Sequence, residues 1–174
     1  MSGLIEPSIW CANISWNNFV NNVTYCSQSP FLFKDSLRNN LLYGSGINDF
    51  SEQDNIIATA LNLSQIEDVV ASLPKNIDEQ MDSLSCALSG GQNQRIHLAR
   101  SLMRKEKNVI LLDEPSSSLD LHCEIALMSE LIKKTKKEKK ILIVVSHRVE
   151  ILKLFDEIYK VENFVLQKVV KKQE

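Results

Sequence analysis

The sequence predicts an α/β protein built on a parallel sheet, and two apolar runs carry that prediction. Val109–Leu112 and Ile141–Val145 are short and wholly apolar, each follows a predicted helix, and each ends in polar residues. Such runs are typical of strands buried in parallel sheets. Because the carboxyl ends of parallel strands meet at one edge of the sheet, we expect the polar residues that follow them to share a site.

The first half of the chain predicts one strand and two helical segments. Residues 1–22 are polar, show no clean period and predict irregular structure, whereas 23–26 predicts a short strand. Asp35 predicts the cap of a helix that runs to Leu42 and ends at the following glycines. A helix is predicted to start at 51–54, with a second, shorter one around 65–72 and a loop over 76–87.

The second half predicts helices alternating with strands. Helical periodicity resumes at Ser89, with Ile96, Ala99 and Met103 on one stripe. Further helices are predicted over 121–134 and 151–155, on either side of the apolar run at 141–145. Strands over 158–161 and 164–170 complete the predicted elements.

Composition excludes several classes of protein. Twenty Lys and Arg against 22 Asp and Glu give a net charge of -2, which excludes a generally basic nucleic-acid-binding protein. No apolar run approaches the roughly 18–20 residues that cross a bilayer, and the N-terminus does not resemble a secretory signal. Four scattered cysteines without metal-site spacing predict buried, reduced thiols: Cys11, Cys26, Cys86 and Cys123.

An acidic pair follows the first apolar run, in the segment VILLDEP (Val109–Pro115). In a phosphate-handling site, Asp113 is suited to hold Mg²⁺, because that ion prefers oxygen ligands and keeps several waters. Glu114 is suited to orient and deprotonate an attacking water. The alternative is two ordinary solvated acids after a strand.

A second segment, LSGGQNQRIHLAR (Leu88–Arg100), predicts an anion-binding helix start. Ser89 stands at the N-cap position, and Gly90 and Gly91 allow backbone N–H groups to face outward. The alternative is a capped surface helix with a glycine-containing entry turn.

Together these segments resemble the ATP-binding cassette (ABC) family of transporters. LSGGQNQR resembles the signature motif and VILLDEP the Walker B strand with its glutamate. SSSLD (116–120) resembles the D-loop, VVSHR (144–148) the switch-histidine loop, VTYCSQSPFLF (23–33) the Q-loop, and SLRNNLLYG (36–44) the segment that follows it in exporters. All occur in family order, over about residues 2–170.

The resemblance implies a P-loop-type parallel core with a helical subdomain over about residues 49–87, within one partial nucleotide-binding domain over 1–174. It implies ATP and Mg²⁺ as cofactors, a second cassette and the transmembrane domain of an exporter as partners, and a place at the cytoplasmic face of the membrane. The catalytic residues it implies are Glu114, His147 and Gln28, and the magnesium ligands are Asp113 and Gln28. The residues it implies for nucleotide binding across a dimer interface are Ser89, Gly90, Gly91, Gln92 and Asp120. His97 and His122 are interpreted as structural or surface residues.

The family's phosphate-binding loop, G-x-x-x-x-G-K-[ST], is missing, because the sequence holds no Gly-Lys pair. Residues 2–8, SGLIEPS, resemble the stretch that follows this loop, so we expect the sequence to be incomplete at its N-terminus. We further expect it to be inactive alone and marginally soluble. The alternatives are a non-catalytic remnant, a half-site that lends its signature motif to a partner's ATP, or a soluble ABC ATPase without membrane partners.

Overall fold

A computed structural model describes residues 13–29, 31–82, 88–116, 118–163 and 165–169. The helices are α1 (Trp16–Asn21), α2 (Leu37–Leu42), α3 (Phe50–Leu63), α4 (Glu67–Ala71), α5 (Gly90–Leu102), α6 (Leu121–Lys137) and α7 (Val149–Leu152). The strands are β1 (Val23–Cys26), β2 (Val109–Asp113), β3 (Ile141–Val145), β4 (Ile158–Glu162) and β5 (Val165–Val169). A 3-10 turn at Asn76–Asp78 lies within the predicted loop.

The predicted parallel sheet is confirmed. β2 lies between β1 and β3 and is parallel to both, with Cys26 opposite Leu112 and Asp113 opposite Val145. All three strands therefore end within about one residue of each other along the same edge. β4 and β5 form a separate antiparallel pair, close to the predicted bounds.

One face of the parallel sheet is covered and the other is partly open. Leu112 and Ile110 of β2 pack with Leu98 of α5 and with Leu127 and Leu131 of α6, in what we call the sheet core. On the opposite face of β3, Ile141, Ile143 and Val145 are exposed. The interpretation of 141–145 as a buried strand is therefore wrong. An all-apolar run cannot distinguish a strand that is covered on both faces from one that is covered on a single face.

A second hydrophobic cluster, the helical core, joins α2, α3, α4 and α5. Its fully buried side chains include Leu37 and Leu41 of α2, Ile57 of α3, Ile66 and Ile96. Since α5 contributes Ile96 to this cluster and Leu98 to the sheet core, it forms a wall shared by both. The helical subdomain predicted over about 49–87 stays a prediction, and residues 83–87 lie outside the described part.

Two local predictions near the N-terminus are wrong. Residues 16–21, predicted to be irregular, form α1, which Ser15 caps by accepting a hydrogen bond from the Asn18 amide. Trp16 stacks on Phe19 with ring centroids 5.7 Å apart. The cap of α2 is Ser36 and not Asp35, whose carboxylate instead accepts from the Ser36 amide.

The prediction of buried thiols is correct for one cysteine and wrong for another. Cys26 is a free thiol with no exposed surface, whereas Cys123 is free and exposed in the first turn of α6. Scattered positions without metal-site spacing argued against a metal site but did not decide which side chains are buried. Cys11 and Cys86 lie outside the described residues.

No helix in the described ranges combines the length and the apolar character that crossing a membrane requires.

Leu127 offers a test of the sheet core. Its side chain is fully buried on α6, so Leu127→Ala should lower the free energy of unfolding by about 2–5 kcal/mol. Leu121 lies on the same helix with about a third of its surface exposed, and Leu121→Ala should cost less than about 1 kcal/mol. Urea unfolding followed by circular dichroism measures both. Equal losses would contradict this assignment of the core.

The open face of β3 should control the solubility of the 174-residue polypeptide. Replacing Ile141 and Ile143 with Thr keeps β-branched side chains in the strand and removes exposed apolar surface. We expect the double variant to reduce aggregation in light scattering at matched concentration. A wild-type polypeptide that is monodisperse and melts cooperatively would contradict the expected marginal solubility.

Candidate functional site

Three polar side chains that follow the three parallel strands meet at the sheet edge. Gln28 comes two residues after β1, Glu114 directly after β2, and His147 two residues after β3. Gln28 Nε2 donates to Glu114 Oε2 at 3.0 Å, and His147 Nδ1 lies 3.0 Å from Glu114 Oε1. Because β2 is the central strand, its glutamate is within reach of both neighbours. The residues that follow β2 and β3 therefore meet as expected, and Gln28 after β1 joins them.

The glutamate lies in a partly open position. About a quarter of the Glu114 side chain is exposed, against two thirds of the His147 side chain. Each carboxylate oxygen has two lone pairs, so hydrogen bonds from Gln28 and His147 leave acceptor capacity on both oxygens. Water can reach the carboxylate while its neighbours hold it in place.

Asp113, the last residue of β2, is anchored separately. Tyr25 of β1 donates its hydroxyl to Asp113 Oδ2 at 3.2 Å. Partial burial, followed by the nearby negative charge of Asp113, raises the pKa of Tyr25 and keeps the hydroxyl protonated as a donor. Tyr25 was not singled out from the sequence. The available indication in the sequence was its place between Thr24 and Cys26 in β1, because successive side chains of a strand point to opposite faces.

The helix start that is predicted to bind an anion is closed by a capping box, and anion binding itself stays a prediction. Ser89 Oγ accepts from the Gln92 amide at 3.2 Å, and the Ser89 amide donates to Gln92 Oε1 at 2.8 Å, which makes a capping box. Ser89 and Gly90 are exposed, and a side chain added at Gly90 would meet open space. Gly91 differs, because the Ser118 side chain lies directly against it. Within the described residues, no hydrogen bond joins Ser89 or Gln92 to the Glu114 group.

Asp120 has a local structural role as the N-cap of α6. Its carboxylate accepts from the amides of His122 at 3.0 Å and Cys123 at 3.1 Å. Hydrogen bonding from Cys123 is the main cause that lowers the pKa of Asp120. His122 is exposed, as interpreted from sequence.

A buried carboxylate supports the segments on either side of the site. Glu124 of α6 accepts from Ser116 Oγ at 2.9 Å, and Arg148 Nη1 donates to its other oxygen at 2.5 Å. Arg148 also donates to the Leu119 carbonyl at 3.0 Å. This network ties the segment after Glu114 to the segment after His147, and it was not identified from the sequence.

Arg100 of α5 joins the signature helix to the segment after Gln28. Its guanidinium donates to the carbonyls of Asn40 at 2.7 Å and Phe31 at 2.8 Å, and to Asn40 Oδ1 at 2.8 Å. It also lies 5.3 Å from the centroid of the Phe33 ring. Burial lowers the pKa of Arg100 to about 10, which leaves it charged near neutrality. Three satisfied charge-assisted hydrogen bonds make such burial tolerable.

His97 and Cys26 lie beside this arginine, and both side chains are uncharged at neutral pH. Cys26 Sγ is 3.8 Å from His97 Nδ1. Burial raises the pKa of the Cys26 thiol to about 12, so it carries no thiolate at neutral pH. Burial, followed by the charge of Arg100, lowers the pKa of His97 to about 4. The structural interpretation of His97 is consistent with this neutral, partly buried ring.

An aromatic surface lies next to the segment that follows Gln28. Phe31 and Phe33 pack edge to face with centroids 5.2 Å apart, and the ring of Phe33 lies 4.4 Å from that of Tyr43. Phe31 is 64% exposed and Tyr43 is 57% exposed. We call these three residues the aromatic patch.

Comparison with known proteins identifies the family. The sequence profile of the family described as ABC transporter matches residues 4–117. The multidrug resistance protein sirA of Leptosphaeria maculans is 37% identical over 156 residues, which cover 90% of this chain and 12% of sirA. The ATP-dependent permease MDL1 of Candida albicans is 37% identical over 147 residues, which cover 84% of this chain and 21% of the permease.

A further relative and a solved structure agree. The ATP-dependent lipid A-core flippase of Photobacterium profundum is 35% identical over 147 residues, or 84% of this chain and 24% of the flippase. The structure of a bacterial Atm1-family ABC exporter with ATP bound matches with a TM-score of 0.71 and 26% identity. It covers 83% of this chain and 24% of the exporter chain. The chain thus spans between 12% and 24% of the length of these relatives.

His97 should give the fold a pH dependence. In the unfolded chain a histidine titrates near 6.5, whereas burial lowers the pKa of His97 to about 4. Between these values the unfolded state binds the proton more readily, so the stabilisation present above about pH 6.5 is lost as the pH falls towards about 4. We expect a loss of about 2 kcal/mol, since partial exposure reduces the full linkage value. Urea titrations across this range measure it.

The matched variants are His97→Gln and His122→Gln. The first should flatten the pH dependence, because the group that titrates is gone. The second removes an exposed imidazole from α6 and should leave the slope of the wild type. An unchanged slope in His97→Gln would refute the assignment.

Proposed function

The chain belongs to the ABC transporter family, and we propose that it is an exporter-type ATP-binding domain in which Glu114 drives ATP hydrolysis. The observation that carries the proposal is the Glu114 carboxylate, bound by Gln28 Nε2 on one oxygen and placed against His147 Nδ1 on the other. Side chains after three adjacent parallel strands supply this group, at the sheet edge where α/β proteins bind ligands.

Glu114 is the proposed general base. Its carboxylate is partly exposed and keeps unused lone pairs, so it can accept a proton from a water that attacks the terminal phosphate. His147 is the proposed contact to that phosphate, because most of its ring faces solvent. Gln28 orients the carboxylate and is the proposed contact to the metal or the attacking water.

Members of this family bind ATP with Mg²⁺. The donors here suit that ion: Asp113 offers a carboxylate and Gln28 an amide oxygen, and Mg²⁺ in phosphate sites takes one or two protein ligands alongside phosphates and waters. Among the described residues, no group of three or more His, Cys, Asp or Glu is placed to hold a metal. Magnesium would supply charge neutralisation at the phosphates, and Asp113 and Gln28 would hold it.

The signature segment is the proposed contribution to a second nucleotide. Ser89, Gly90, Gly91 and Gln92 form a capped helix start, which favours an anion, and Ser89 and Gly90 are exposed there. In the family this motif acts on ATP held by the opposite cassette, so the proposed partner is a second cassette. Asp120, exposed at the start of α6, is assigned to the same interface.

The aromatic patch supports a membrane-domain partner. Exposed Phe31 and Tyr43 lie on the segment that follows Gln28, so a protein bound there would be coupled to the site through a short stretch of chain. Aromatic side chains are enriched in protein interfaces. We assign the domain to the cytoplasmic face of a membrane, with the transmembrane part of an exporter as its partner.

The phosphate-binding loop of the family is not present in these 174 residues. The sequence contains no G-x-x-x-x-G-K-[ST] motif, which elsewhere supplies backbone N–H groups and a lysine to the phosphates. Losing two charge-assisted hydrogen bonds costs about 3–6 kcal/mol, or roughly 10² to 10⁴ in affinity. We therefore propose that the 174-residue polypeptide does not hydrolyse ATP by itself.

Glu114→Gln is the direct test. In a protein that joins these residues to a phosphate-binding loop, this change keeps the side-chain shape and removes the base, so kcat for ATP hydrolysis should fall by about 10² to 10⁴. Phosphate release measures the rate. Glu130→Gln makes the same chemical change on the exposed surface of α6 and should leave the rate unchanged.

Other outcomes separate the alternatives. If Glu114→Gln still hydrolyses ATP, the proposed base is wrong. If the pure 174-residue polypeptide hydrolyses ATP, no additional phosphate-binding loop is needed. If the polypeptide stimulates an intact cassette that carries its own phosphate-binding loop, and Ser89→Arg removes the stimulation, it acts as a half-site. If it does not associate with such a cassette, it is a remnant.

A further inference from the structure

The signature helix α5 contacts this chain's own catalytic segments as well as presenting the motif at its N-terminus. In its first turn, Gly91 packs against Ser118, which follows the Glu114 segment. In its last turn, Arg100 binds the Phe31 carbonyl in the segment after Gln28. Between them, one turn beyond Gly91, lies Gln94, which was not singled out from the sequence. Residues three apart on a helix share a face, so Gly91 and Gln94 point to the same side.

Gln94 binds the backbone of the proposed base. Its side-chain amide donates from Nε2 to the Glu114 carbonyl oxygen at 2.5 Å, and only 5% of Gln94 is exposed. Burial of a glutamine amide costs free energy unless the amide is hydrogen-bonded. The bond to Glu114 compensates that cost. The bond therefore joins the second turn of the signature helix to the residue that directly follows β2.

The Glu114 backbone has an unusual conformation that needs support. Its φ is +46°, in the left-handed region that non-glycine residues seldom adopt. Pro115 follows it and restricts its backbone further. Two hydrogen bonds hold the residue: its amide donates to the Val145 carbonyl of β3 at 3.0 Å, and its carbonyl accepts from Gln94. One bond comes from the sheet and the other from the signature helix.

The backbone conformation decides where the carboxylate lies. If the Glu114 backbone adopted the extended or right-handed conformation, its Cα–Cβ bond would point in a different direction. The carboxylate would then leave its position between Gln28 and His147. Both hydrogen bonds of the carboxylate span about 3.0 Å, so they leave little room for such a displacement. The geometry that suits proton transfer thus depends on how the backbone is held.

We propose that Gln94 is a positioning residue for Glu114, and that it links the signature motif to the hydrolytic base of the same chain. This rests on the proposed role of Glu114. A ligand bound at the N-terminus of α5 contacts the same rigid helix that carries Gln94. One rigid helix thereby connects the nucleotide that the signature serves with the nucleotide on which Glu114 acts.

The test compares Gln94→Met with Ser101→Ala. The first keeps the side-chain volume and removes the donor to Glu114. The second removes a buried hydroxyl from the same helix, where it donates to the His97 carbonyl at 3.0 Å and not to Glu114. In a protein that joins these residues to a phosphate-binding loop, Gln94→Met should raise the exchange rate of the Glu114 amide proton about tenfold or more over that in Ser101→Ala. Equal rates in the two variants would overturn the proposal.

Kinetics provide a second readout. Gln94→Met should lower kcat for ATP hydrolysis roughly 10- to 100-fold with the KM for ATP unchanged, as expected for a displaced base. Gln94→Glu should show a defect that shrinks as the pH falls, because the protonated carboxyl regains a donor and burial raises the pKa of that group. A change confined to KM, or a defect that is independent of pH, would overturn the positioning role.

The amide measurement does not depend on hydrolysis. If Glu114→Gln keeps full activity, the proposed base is wrong, and the proposed effect of Gln94 on catalysis is wrong as well. If Glu114→Gln is inactive while Gln94→Met exchanges and hydrolyses like Ser101→Ala, only the positioning role is wrong.

Discussion

The site depends on the parallel register of three strands. Because Asp113 lies opposite Val145 and Leu112 opposite Cys26, the residues that follow these strands leave the sheet at nearly the same level. Side chains alternate between faces along a strand, so a slip of one residue in β2 would point Glu114 away from its partners. The sheet core, which includes the fully buried Leu112, fixes this register and therefore also assembles the polar group.

Helix α5 is the second structural requirement. It contributes Leu98 to the sheet core and Ile96 to the helical core, so it cannot shift without disturbing both. The same helix positions Gln94 to bind Glu114 and Arg100 to bind the segment after Gln28. A helix fixed by two cores can present an exposed N-terminus while its buried faces position catalytic residues.

Much of the fold and the expected site could be predicted from the sequence, for physical reasons that also explain the failures. Apolar runs without alternation gave β2 and β3 to within one residue of their observed bounds, and the resemblance named Gln28, Glu114 and His147, which the structure brings together. Helix α1 was missed because apolar periodicity does not detect features such as the Ser15 cap and the stack of Trp16 on Phe19. Gln94 and Arg100 were missed because a polar residue on a helix reveals its partner only after distant segments pack against it.

The two glycines of the signature segment report on different parts of the molecule. At Gly90 an added methyl group would meet open space, so an alanine there changes only the surface offered to a ligand. At Gly91 it would collide with Ser118, which must move together with the loop that carries it. A loss of activity on substitution of Gly91 therefore has two causes that cannot be separated. One is the altered surface for the ligand, and the other is the displaced loop in the same subunit. Only the first glycine isolates the contribution of the motif to its ligand.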